Sequence, residues 1–234
     1  MRTCLVVFSV ALVACYPTLP PHLAEGTEVL RPGGASVTLV GGGAGFDANC
    51  CAGASSPTSA STVGGGGFET RVRVGIGAKQ EVGGAVFLGL GTASGGGDPP
   101  FAAGGELSYK IAPLPWFAVV VDGGALDHAV ASVAVAGGDL ALIFAPFIAE
   151  NGSQVYAALK GSFAVPFLNG ARDVNEALEV PIGVSLHLSK RVRFIAEGGP
   201  VLGFAQLVTD EAPASQNVTS VGGYGVLAFQ FVVH

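Results

Sequence analysis

Charged residues are scarce in this sequence, and no stretch of it concentrates Lys or Arg. Only 12% of the 234 residues are Asp, Glu, Lys or Arg, about half of the roughly 25% in an average soluble domain. The net charge is −6 at pH 7, and without a basic cluster we do not expect nucleic acid as a partner. A water-exposed surface for a chain of this length would have to be built from half the usual supply of charge.

Long apolar runs are also missing, although 50% of the residues are hydrophobic and the mean hydropathy is +0.57. The longest runs beyond the N-terminus lie at residues 116–121 and 140–149. Both are shorter than the roughly 20 residues that a membrane-spanning helix needs. A hydrophobic chain without helix-length segments is typical of a protein built from β-strands, and the length suits one all-β domain preceded by a leader.

The leader has the layout of an export signal. One positive charge at Arg2 precedes an apolar stretch at residues 5–13 and a cleavage site of small residues. The last four residues of "MRTCLVVFSVALVAC" resemble the lipobox of bacterial lipoproteins, which implies that residues 1–14 are removed and that Cys15 is acylated. The alternative is an ordinary signal peptide with a cysteine near its cleavage site. Residues 15–34 are then predicted to be a lipidated N-terminus followed by a Pro-rich tether.

Few cysteines remain for other chemistry, since Cys4 leaves with the signal and Cys15 carries lipid. The adjacent pair Cys50 and Cys51 would stay in an oxidising compartment. We expect a disulfide, either between these two neighbours or between two chains, with two reduced thiols as the alternative. A metal site is not predicted because no His lies nearby and the spacing does not suit metal ligands.

Ten strand-length segments rich in Val, Phe, Leu and Gly follow from residue 35. Most reach the roughly 9–11 residues of a tilted membrane strand. Short connections, such as residues 113–114, alternate with long ones, such as 44–67 and 124–136. This alternation resembles the bacterial outer-membrane β-barrels, which have short turns at one end and longer loops at the other. The segments are residues 35–43, 68–78, 82–91, 101–112, 115–123, 137–148, 153–164, 176–188, 192–206 and 219–233.

This resemblance implies an all-β fold, an antiparallel up-and-down transmembrane β-barrel of about 10 strands over residues 35–234, with 8 strands as the alternative. Residues 124–136 are taken as a loop, with an extra strand or a short helix left open. The last strand places its hydrophobic residues on one face and resembles the strand by which such barrels are recognised for assembly. It departs from that pattern by ending in Val-Val-His.

Period-two alternation separates an oily face from a charged face in most of these segments. As the water-exposed surface of a soluble domain, this face would carry too few charges. As the lining of a narrow barrel, its five basic and five acidic side chains would be neutral overall and able to pair. We therefore predict that the oily face points into lipid and that these residues form an ion network in the lumen: Glu69, Arg71, Arg73, Glu106, Lys110, Asp122, Lys160, Glu179, Arg193 and Glu197.

One cluster resembles a hydrolase set. Ser185 and His187 share a face, and Glu197 lies on the neighbouring strand, as a nucleophile, a base and an orienting carboxylate would. A three-residue turn at 189–191 would place His187 opposite Arg193 and Glu197 opposite Gly183, which separates the set. We therefore favour the ion network and predict no catalytic residues.

The sequence thus predicts a small outer-membrane envelope protein, structural or interaction-mediating, with an ion-paired and occluded lumen. The expected partners are outer-membrane lipid and a protein at the extracellular loops, and no cofactor is expected. A lipid-anchored soluble β-domain that binds a ligand or partner is the first alternative. A lipid-acting membrane enzyme that uses Ser185 and His187 is the second.

Overall fold

The strands are long, and each pairs with its neighbour along the chain. The computed structural model describes residues 25–48, 61–93, 101–128, 133–167, 175–209 and 212–233. Among these residues no helix is long and apolar enough to span a bilayer. The strands are β1 (Ala35–Ala48), β2 (Ser61–Gly77), β3 (Gln80–Ala93), β4 (Phe101–Leu114), β5 (Phe117–His128), β6 (Val133–Ile148), β7 (Gln154–Phe167), β8 (Asn175–Glu179), β9 (Ile182–His187), β10 (Val192–Thr209) and β11 (Ala212–Val233).

The sheet closes on itself into a barrel. All neighbouring strands are antiparallel, and β1 pairs with both β2 and β11, from Ala35 opposite Val233 onward. A closed ladder satisfies the backbone N–H and C=O groups of every strand and leaves no exposed edge. The fold is therefore an all-β, antiparallel up-and-down barrel, as predicted.

The eleven strands occupy ten positions around the barrel because β8 and β9 share one. Both pair with β7 on one side and with β10 on the other. Pro181 lies between them and has no N–H to donate to the ladder. Its carbonyl oxygen nevertheless accepts a hydrogen bond from the backbone N–H of Ala158 at 2.8 Å, so the interruption is local. The predicted strand at 176–188 and the count of ten positions are confirmed.

The two ends of the barrel differ. Residues 78–79, 115–116, 149–153 and 188–191 connect strands at one end, which we call the short-turn end. The opposite end, the long-loop end, holds connections that include 49–60, 94–100 and 168–174, all outside the described residues.

Several predicted loops are too long. Residues 44–48 and 61–67, predicted as loop, belong to β1 and β2, and most of 124–136 lies in β5 and β6. β11 begins at Ala212 instead of residue 219. These stretches are rich in Gly, Ala and Ser, whose weak strand propensity hides them in the sequence. Pairing with an adjacent strand nevertheless holds them in the ladder.

The alternation of side chains is as predicted, with the oily face outside. Phe68, Leu107 and Phe147 are 77%, 75% and 71% exposed. The neighbours of Leu107 along the strand, Glu106 and Ser108, point inward and are buried, as is Glu69 beside Phe68. On β11 the hydrophobic face Leu227, Phe229, Phe231 and Val233 likewise lies outside.

Aromatic residues on the outer wall gather near the short-turn end. Trp116 and Phe117 follow the β4–β5 turn, and the ring of Phe117 lies 5.0 Å from that of Phe144. Phe194 and Phe229 pair in the same way at 5.3 Å. The sequence has one Trp and four Tyr, so Phe supplies most of this belt.

Inside the wall, aromatic rings lie over glycines of neighbouring strands. The fully buried Tyr156 of β7 covers Gly183 of β9, and a methyl group built at Gly183 would overlap the tyrosine ring. Glycine therefore makes room here for a large side chain in the lumen of a ten-stranded barrel.

We expect Gly183→Val to lower the free energy of unfolding by about 1–3 kcal/mol, the usual cost of overpacking a tight core. Urea unfolding in phospholipid vesicles measures this. Gly161→Val is the matched control, because a methyl group there meets nothing within 4 Å and should change stability by less than about 0.5 kcal/mol. Equal effects of the two changes would contradict the packing of Tyr156 on Gly183.

Candidate functional site

Charged side chains occupy a layer of the lumen between its middle and the short-turn end. All ten residues predicted to form the lumen network point into the barrel. Nine of them are fully buried, and the Arg193 side chain is 12% exposed. Glu25, Glu81 and Glu28 link six of them, Glu69, Arg71, Arg73, Glu106, Lys110 and Arg193, into one chain of contacts.

Arg71 is the centre of the first group. Its Nη2 atom lies 2.8 Å from Oε1 of Glu69 and donates to Oε1 of Glu106 at 3.1 Å. Only 1% of the arginine side chain is exposed, so these carboxylates replace the water that its charge would otherwise require.

Lys160 is the centre of the second group. Its ammonium nitrogen lies 3.5 Å from Glu179 and 3.6 Å from Asp139. Asp122 is buried on β5 directly opposite Asp139 of β6. This side of the lumen therefore gathers three carboxylates around one lysine.

Glu197 has tyrosine partners. The hydroxyl groups of Tyr156 and Tyr224 donate to its two carboxylate oxygens at 2.9 Å and 2.8 Å. Two neutral donors solvate the buried carboxylate.

The N-terminal segment 25–34, which we call the mouth segment, fills the lumen at the short-turn end. Glu25 is buried, and its Oε2 lies 3.0 Å from Nε of Arg73. Thr27 donates its hydroxyl proton to the carbonyl oxygen of Pro115 at 2.7 Å, and its backbone N–H donates to the side-chain oxygen of Gln154 at 3.2 Å. These contacts join the segment to opposite sides of the barrel.

Glu28 and Leu30 also attach the mouth segment to the barrel wall. The Glu28 carboxylate accepts from Arg193 at 2.8 Å and lies 2.9 Å from Nε2 of His187. Its backbone carbonyl accepts from Lys110 at 2.7 Å. The backbone N–H of Leu30 donates to Glu81 at 3.0 Å, and Glu81 also lies 2.6 Å from Arg73.

Two sequence predictions are corrected by this arrangement. Residues 25–34 are not part of a free tether but lie in the barrel mouth. The charged face is also not neutral, because Glu25, Glu28, Glu81 and Asp139 join it, while among the described residues no further Lys or Arg enters the lumen. The period-two pattern of β3 and β6 could have identified Glu81 and Asp139. No local pattern marks Glu25 or Glu28, since their position depends on distant strands.

The hydrolase-like set is not assembled. His187 does lie opposite Arg193, and Glu197 lies opposite Gly183, as the predicted register requires. His187 contacts Glu28 through its ring, and Glu197 accepts from two tyrosines. Ser185 is buried, with its hydroxyl group directed into the protein. The three side chains therefore belong to separate groups.

The predicted lipid site Cys15 and the pair Cys50 and Cys51 lie outside the described residues, so acylation and disulfide formation stay predictions. Within the described ranges, no group of three or more His, Cys, Asp or Glu residues is arranged to hold a metal ion.

Comparison with known proteins gives similarity of fold only. No protein-family model matches the chain, and no curated protein sequence matches it. An outer-membrane channel from Pseudomonas putida F1 is similar with a TM-score of 0.51 and 12% identity, over 91% of this chain and 99% of that one. The β domain of the Bordetella autotransporter BrkA has a TM-score of 0.48 at 11% identity, over 86% and 99%. The outer-membrane protease OmpT from Escherichia coli has a TM-score of 0.39 at 9% identity, over 88% and 100%.

The chain therefore has the fold of the bacterial outer-membrane β-barrels. At these identities the likeness does not extend to an activity.

Arg71 provides a test of the charged layer. We expect Arg71→Met to destabilise the protein by about 3–5 kcal/mol, because it leaves Glu69 and Glu106 buried without their main cation. Adding Glu69→Gln and Glu106→Gln should restore most of the loss, since it removes the uncompensated charges. Urea unfolding in vesicles measures both variants. A single variant as stable as the wild type would show that water solvates this layer.

Proposed function

We propose that this chain is a small protein of the bacterial outer membrane, structural or interaction-mediating, with an occluded lumen and no catalytic activity. The observation that carries the proposal is the mouth segment, which contacts β2, β3, β4, β7, β9 and β10 and fills the short-turn end.

The outer wall supports the membrane location. Large exposed hydrophobic residues occur on nearly every strand, whereas soluble monomers rarely expose continuous apolar patches larger than a few hundred Å². The aromatic belt near the short-turn end is where a membrane interface would lie. In water, a wall of this kind would aggregate.

Lipid attachment at Cys15 is compatible with the mouth segment. An extended chain spans at most roughly 3.3–3.6 Å per residue, so the stretch between Cys15 and Glu25 could bridge roughly 35 Å. That reach allows an acyl chain in the leaflet nearest the short-turn end, which we assign to the periplasmic side. The long-loop end would then face outward, where a protein partner could bind the loops.

Two observations favour a role without catalysis. His187 and Glu197 are each held by other side chains, and neither is paired with Ser185. In addition, the wall and the mouth segment separate these groups from bilayer lipid.

Substitution of an outward-facing residue of the barrel wall tests the membrane location. Leu107 lies at the middle of β4 and is 75% exposed. We expect Leu107→Arg to cost about 2–4 kcal/mol of unfolding free energy in lipid vesicles, as a cation does near the bilayer midplane. Glu150→Arg, in an exposed turn, is the control and should have little effect. If Leu107→Arg is also neutral, the wall faces water and the soluble β-domain is favoured.

The occluded lumen can be tested by single-channel recording in planar lipid bilayers. We expect the wild-type protein to give no steady conductance. Glu25→Gln combined with Glu28→Gln should produce frequent openings, because it removes the carboxylates that hold the mouth segment to Arg73 and Arg193. Those openings should favour cations, since carboxylates outnumber bases in the lumen. Glu150→Gln, on an exposed turn, is the control, and a steadily conducting wild-type protein would contradict occlusion.

A further inference from the structure

The half of the lumen nearest the long-loop end differs from the charged layer. Among the described residues of β1 to β5, those facing inward in this half are mostly small or apolar, and Phe87, Ala102 and Leu126 form a buried cluster there. Next to this cluster is a cavity of about 80 Å³, which we call the apolar chamber. It is lined by Val40, Phe87, Ala102, Leu126, Val226 and glycines of β1, β2 and β3, and also by Ala44, Glu69, Phe68 and Leu88, the last two of which have their side chains exposed on the outer wall.

Glycine creates this space because it contributes no side chain to the lumen. At Gly42 and Gly104 the space is already used, since a methyl group would overlap Val226 in one case and Phe87 in the other. At Gly89 it is not. The nearest atoms to a methyl group at Gly89 are Cβ of Ala102 at 3.8 Å and the carbonyl oxygen of Gly66 at 3.9 Å.

The chamber has few polar partners for water. Glu69 is its one charged lining residue, and Arg71 already engages the Glu69 carboxylate at 2.8 Å. Buried water needs about two to four polar partners, so water in this chamber is poorly held and an apolar ligand can displace it at little cost. The charged layer and the mouth segment lie between the chamber and the short-turn end.

We propose that the apolar chamber binds a small, uncharged, apolar molecule. An apolar cavity of about 150 Å³ can hold benzene. This chamber is smaller but not fully enclosed, so a ligand of benzene size or less is appropriate. Anions are disfavoured because the neighbouring layer has an excess of carboxylates. The protein would thus hold a ligand at one end of a barrel that is closed at the other, a role separate from occlusion.

Benzene titration of methyl-labelled protein in lipid nanodiscs, followed by NMR, tests the proposal. The inward-facing methyl groups of Val40, Leu126 and Val226 should shift and saturate. The outward-facing methyl groups of Leu107 and Leu227 should shift in proportion to benzene, because it partitions into the lipid around them. Benzoate at the same concentrations should shift the inward methyl groups less than a tenth as much.

Gly89→Leu fills the chamber and should weaken the saturable binding at least tenfold, whereas Gly161→Leu on the outer wall should leave it unchanged. If Gly89→Leu does not fold, Gly89→Ala adds one methyl group in ordinary contact and should weaken binding about threefold. The proposal is overturned if the inward methyl groups follow the outward ones without saturating. It is also overturned if the folded Gly89 variant binds benzene as tightly as the wild type.

Discussion

Closure of the ladder between β1 and β11 is the constraint on which the other features depend. A closed sheet leaves no backbone edge unpaired, so every strand can present Phe, Leu and Val outward. The same alternation then directs most charged side chains of those strands into the lumen of a ten-stranded barrel. Charges such as Arg71 and Lys160, with almost no exposed surface, must find partners within that lumen.

The strands alone do not supply all of these partners. Arg193 faces Glu28, Arg73 is shared between Glu25 and Glu81, and Gln154 meets Thr27. The mouth segment thus completes a polar layer that the barrel wall leaves unfinished. Its exclusion of solvent and its stabilisation of the arginines are two consequences of the same contacts.

Along β2, β3 and β4 the lining of the lumen changes in chemical character. Near the short-turn end these strands present the charged side chains of Arg71, Arg73, Glu81 and Lys110, whereas β5 and β6 present Ala118, Ile143 and Ala145 there. Toward the long-loop end many of the same positions are Gly, Ala or Val, and one stretch next to Gly89 stays unfilled. A barrel of constant strand number therefore contains a packed ionic layer and an apolar chamber.

The sequence by itself determined the fold class, a count of about ten strands and the direction of the side chains in the strand segments that it identified. Period-two alternation is a local property, and a one-residue slip of register would reverse every face. The sequence also placed Glu69, Arg71 and Glu106 on the charged face and predicted that His187 lies opposite Arg193. Only the tertiary structure decided that residues 25–34 enter the mouth, that Glu197 is held by Tyr156 and Tyr224, and where glycines leave space. These outcomes depend on contacts between residues far apart in the chain, such as Thr27 with Gln154, and the side-chain alternation of single strands contains no information about them.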